Sequence, residues 1–102
     1  VTAMLYVLTR VKMPSCQVTI INKLGLHARA AAKFVSVANQ FPCQIQIGRD
    51  ANTVCNGKNI MSVMMLAASK GTELYLHTDG EQAEQALAAL QQLIADRFDE
   101  DC

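Results

Sequence analysis

Tryptophan is absent from this chain of 102 residues, and aromatic side chains make up only 5% of it. That leaves little with which to stack nucleic-acid bases. Neither sign of charge is in excess: Lys plus Arg and Asp plus Glu both number 9, for a net charge of zero and an isoelectric point near 6.9. The sequence therefore carries no global electrostatic footprint for nucleic acid. The four cysteines, at 16, 43, 55 and 102, form no Cys-x-x-Cys pair, and neither histidine lies near one in sequence. A zinc site is not expected. Cys16 and Cys43 fall on apolar strand faces, where a free thiol acts as a small hydrophobe. Buried thiols rather than bridges are expected, in keeping with a reducing, cytoplasmic compartment. Long apolar runs are missing too. Ala3 to Leu8 is short and is followed by Arg10 and Lys12, too little to span a bilayer. Nor do these residues show the basic start and small-residue cleavage pattern of a signal peptide. No internal repeat, acid–base pair, nucleophile triad or metal cluster is legible, which argues against an autonomous enzyme.

What is present is a foldable pattern. Apolar residues make up 51% and charged residues 18%, the composition of one folded domain. Cys16 to Ile21, Cys43 to Ile47 and Thr72 to Thr78 alternate polar and apolar residues, the mark of strands with one wet face. Gly48 to Asn52 reads as a hairpin connection into a short strand around Thr53 to Asn56. Helical spacing runs from about Ala28 to Phe41, where Pro42 stops it, from Ile60 to Ser69, and from Glu81 to Phe98. In the last of these, Ala83, Leu87, Leu90 and Ile94 share a stripe. The order βαββαβα predicts an α/β (α+β) open-faced sandwich: a four-stranded antiparallel sheet with three helices on one face. Residues 1–15 are expected to be an N-terminal extension, either a disordered tail or a segment appended upstream of a start at Met13-Pro14. Residues 16–102 form the domain.

The first strand–helix junction carries the chemistry. In Asn22-Lys23-Leu24-Gly25-Leu26-His27-Ala28-Arg29-Ala30, a glycine-containing turn delivers His27 to the helix N-cap. That position normally holds Ser, Thr, Asp or Asn, and a broken local rule tends to mark a functional site. The backbone N–H groups of Ala28, Arg29 and Ala30 are left without side-chain caps, and Arg29 and the helix dipole add positive character. The pattern suits an anion beside a titratable nitrogen. His77, on the wet face of its strand, is expected to be structural or solvent-exposed.

Leu26-His27-Ala28-Arg29 followed by small residues resembles the active-site motif of the HPr family, histidine phosphocarriers of the phosphotransferase system. Gly57 to Leu66 is similar to that family's second helix, and Ala68 to Thr72 to the turn after it. The resemblance spans roughly Cys16 to Phe98. It implies an HPr-like fold and a carrier that has no turnover of its own and needs no cofactor or metal. His27 would accept a phosphoryl group on Nδ1 from enzyme I and pass it to IIA domains, with Arg29 and the amides of Ala28 to Ala30 holding the phosphate. A neutral imidazole nitrogen can attack without a separate base. Ile60, Met61 and Met64 would flank His27 and dock partners, as adaptable methionines can. Many relatives carry proline where Ala30 stands, which frees an N–H here but gives up a fixed φ. Many also carry a regulatory serine where Asn59 stands, so that control is expected to be absent. The expected molecule is a monomer, without nucleic acid or membrane insertion. The alternatives are an NPr-type regulatory adaptor, compatible with the acidic Asp99-Glu100-Asp101 end, and an interaction domain that is never phosphorylated.

Overall fold

The computed structural model describes residues 14–101; the expectation for the upstream extension falls, except for Pro14 and Ser15, outside that range. Four strands, β1 (Ser15–Thr19), β2 (Gln44–Gly48), β3 (Val54–Asn56) and β4 (Glu73–Asp79), alternate with three helices. These are α1 (Ala28–Ala38), α2 (Ile60–Met65) and α3 (Ala83–Ala95). The sheet order is β1-β4-β2-β3, with every pairing antiparallel. This is the expected open-faced sandwich.

Period-two alternation sorts the sheet into two faces. Ile45, Ile47, Leu74 and Leu76 are buried beneath the helices. On the other face Gln46 pairs with His77 across β2 and β4, and the His77 ring is held by Gln46 Oε1 at 3.0 Å and stacked on Tyr75. His77 is thus half-buried within a polar sheet face. The helices contribute Ala30, Ala31, Phe34 and Ala38 from α1, Val63 from α2, and Ala83, Ala86, Leu90 and Ile94 from α3. Leu87, expected on the α3 stripe, lies at its edge, only partly buried. Cys43 is buried, Cys16 and Cys55 are partly buried, and all three are free thiols. Burial pushes the Cys16 and Cys55 thiols above their ordinary range, so they are poor nucleophiles.

All three helices are shorter than their periodicity suggests, for local reasons. In α1 the amide of Asn39 still bonds back to Val35 O, and residues 39–41 continue as turns before Pro42. α2 was expected to reach Ser69 but stops at Met65, because Ala67 takes φ +50 and Arg49 Nη2 binds the Leu66 carbonyl at 2.8 Å. α3 begins after Gln82, itself at φ +64, and ends at Ala95. Beyond it Arg97–Asp99 form one tight turn whose three residues have φ of +57, +53 and +63. That left-handed turn seats Phe98 in the core and sends the chain back toward the start of α1.

Candidate functional site

The turn before α1 is built by close approach. Gly25 has φ +68, and a Cβ there would lie 2.4 Å from the Ala68 carbonyl oxygen. The next amide, Leu26 N, donates to that same oxygen at 2.8 Å. The strand–helix turn is thereby pinned to the segment that follows α2, and Leu26 is buried. His27 then occupies the N-cap in an extended conformation, with no side-chain cap hydrogen bond. The first intrahelical bond runs from Ala31 N to His27 O at 2.8 Å. The amides of Ala28, Arg29 and Ala30 precede it and lack partners in the ladder. The local geometry expected at the junction is therefore present, with an imidazole where an oxygen cap would normally be.

The side-chain surroundings add what the motif does not contain. His27 Nε2 is hydrogen-bonded to Glu100 Oε2, the only ion-pair contact among the described residues. The imidazole side chain is 26% exposed and the glutamate side chain 14%, so the pair sits in a shallow, partly dry position. Glu100 is aimed by Asn22, a fully buried residue. Asn22 Nδ2 donates to Glu100 Oε1 at 2.9 Å and to Gly25 O at 2.8 Å. The Asn22 amide holds the Glu100 carboxyl below the ordinary glutamate range, with smaller contributions in the same direction from His27 and Lys33, opposed by partial burial. Lys33 Nζ donates to Phe98 O at 2.6 Å, tying α1 to the left-handed turn.

Beside this constellation lies a cleft of about 460 Å³ lined by Lys23, Leu24, Arg29, Lys33 and the acidic residues 99–101. Arg29 is exposed at its edge, free of ion pairs among the described residues. Ile60, Met61 and Met64 lie on α2, which packs against α1; Met61 is 63% and Met65 80% exposed. Asn59 caps α2 by accepting from Ser62 N at 3.1 Å.

Glu100, Asn22 and Lys33 were not singled out by sequence. Glu100 stands 73 positions from His27, and nothing in local spacing links them. The acid partner that local sequence does not reveal is supplied by the return of the chain.

A family model described as "PTS HPr component phosphorylation site" matches residues 14–96. The chain belongs to the HPr family. It is 64% identical over 88 residues to the phosphocarrier protein HPr of Pseudomonas aeruginosa, covering 86% of this chain and 98% of that one. Identity to the HPr of Pseudomonas putida is 61% over the same length and the same coverage. The crystal structure of HPr-C-His from Thermoanaerobacter tengcongensis superposes with a TM-score of 0.82 at 40% identity, covering 88% of this chain and all of that one. The fold and the phosphotransferase-system membership expected from the two sequence blocks are thus those of the HPr family, whose members are phosphocarriers. Among the described residues no helix is long and apolar enough to cross a membrane.

Proposed function

We propose that His27 is the phosphoryl acceptor of this phosphocarrier, taking the group on Nδ1 from phosphorylated enzyme I and passing it to IIA domains. The observation that carries this reading is the position of the ring. It caps α1 without using its nitrogens for the cap, at the helix start where the amides of Ala28 to Ala30 lack ladder partners, with Arg29 exposed two residues on. In the transfer, the Nδ1 lone pair forms a bond to phosphorus. The donor's bond to phosphorus breaks, and its electron pair returns to the donor atom. The group brings roughly −1.5 to −2 charges, and a helix N-terminus offsets such charge by about 0.3–1 kcal/mol. That is moderate stabilisation, suited to a carrier that must release what it accepts. Arg29, exposed and lining the cleft, adds a positive partner for the phosphate.

The apolar exposed residues of α2, Ile60, Met61 and Met64, support a docking surface for enzyme I and IIA domains. Unbranched methionines adapt to differently shaped partners. The test of the acceptor is intact mass after incubation with phosphoenolpyruvate and enzyme I. An acid-labile phosphoryl adduct on the wild type and none on His27→Ala is expected. An adduct on both proteins would move the site elsewhere, and none on either would favour an interaction domain.

A further inference from the structure

The contact between Glu100 and His27 has a chemical consequence that does not depend on its strength. An ionised carboxylate has no hydrogen to give. Its bond to the neutral ring therefore requires the proton on Nε2, which leaves the lone pair on Nδ1. Asn22 fixes the polarity of the arrangement. Its buried amide faces two acceptors, Gly25 O and Glu100 Oε1, so only the NH2 group fits there, and it can only donate toward residue 100. The backbone is bent to make this contact, with three successive non-glycine residues, Arg97 to Asp99, in the left-handed region. Such conformations persist where the surroundings over-determine them and gather at functional sites. Phe98 in the core and Lys33 on the Phe98 carbonyl hold the turn in place.

We infer that Glu100 is a positioning residue that sets the tautomer of His27, keeping the proton on Nε2 so that Nδ1 is the nucleophilic nitrogen. Resting on the reading that His27 accepts the phosphoryl group, this gives the carboxylate the task of orienting the ring and facing the positive charge that develops on it as the Nδ1–P bond forms. Nε2 keeps its proton throughout. The logic is that of a carboxylate behind a catalytic imidazole, with a phosphorus atom as the electrophile.

The arrangement makes an unusual prediction for two variants. In Glu100→Gln the amide oxygen must stay on the Asn22 donor, so its NH2 is turned toward His27 Nε2. The ring then accepts at Nε2 and carries its proton on Nδ1, the wrong tautomer for attack. In Glu100→Ala the ring is merely released. The conservative variant should therefore be the worse one. Tautomer populations are read from long-range 1H–15N spectra at about pH 8.5, where imidazole is neutral. Acceptance rates are read by intact mass with enzyme I. The expected order is wild type fastest, Glu100→Ala slower, and Glu100→Gln slowest, with Glu100→Gln down by roughly tenfold or more and its ring shifted to the Nδ1–H form. Glu100→Gln accepting as fast as Glu100→Ala, or keeping the Nε2–H form, would overturn the inference. The tautomer measurement needs no phosphoryl donor. Failure of wild-type His27 to accept phosphate would thus remove the carrier reading alone, whereas an unchanged tautomer in Glu100→Gln would remove the positioning role alone.

Discussion

Gly25 and Glu100 prepare His27 from opposite directions, one through backbone shape and the other through charge. At Gly25 any side chain meets both a left-handed φ and the Ala68 carbonyl. Gly25→Ala should cost about 1–3 kcal/mol, read from urea unfolding, because the turn must move off the segment it is pinned to. At Glu100 the carboxyl titrates below its ordinary range because the Asn22 amide, and then His27 and Lys33, favour the ionised form. A lowered folded-state pKa gives stability that is present above the unfolded-state value and is lost as pH falls through the folded one. Stability of the wild type should therefore drop through the acid side of the glutamate range more steeply than that of Glu100→Gln. The paired profiles come from chemical denaturation across pH. Parallel profiles would contradict the carboxyl's preference for the charged state. This residue-level partnership was invisible in the sequence. Asn22 and His27 share a motif, but Glu100 enters only through the fold, and its neighbours Asp99 and Asp101 make it look like part of an ordinary acidic end.

Elements were far more legible than their ends. Alternation marked three of the four strands, because a one-sided sheet separates polar from apolar residues at every step; the short third strand was legible only through the hairpin connection that leads into it. The α1 stripe and the Pro42 stop placed the first helix to within a few residues. What failed was the extent of α2. Gly71, just past the expected end at Ser69, fits a C-terminal signal and does take φ +91, yet the chain already turns left-handed at Ala67, a residue type that gives no such warning. The early stop leaves α2 as six residues with one side chain, Val63, fully buried. Its remaining apolar residues face outward, so a change there should separate binding from stability. Met61→Glu is expected to leave unfolding within about 0.5 kcal/mol of wild type while lowering the rate of phosphoryl exchange with enzyme I about tenfold, the effect of losing one central contact. Transfer at the wild-type rate would count against α2 as the docking face.

Over the whole molecule, the segment after α3 is the link between core and site. Phe98 is fully buried, while the residues on either side of it are left-handed at about 1–2 kcal/mol each. The burial of one large ring offsets that cost and fixes where Glu100 arrives. Phe98→Ala should lose about 3–5 kcal/mol of stability, measured by denaturant unfolding, and should also free the His27 ring from its Nε2–H preference in the still-folded fraction. A core substitution far from the phosphoryl group would then act on its acceptor atom. The HPr-family fold was readable from the two motif blocks and the order of elements, whereas this coupling was not, because it depends on a turn without a glycine signature. The central claim is that Nδ1 of His27 accepts the phosphoryl group while Nε2 stays protonated against Glu100. It is tested most directly by 15N- and 31P-NMR of the 15N-labelled protein after phosphorylation by enzyme I. The account predicts phosphorus coupled to Nδ1 of His27, with Nε2 protonated. Phosphorus on Nε2, or on any other residue, would contradict it.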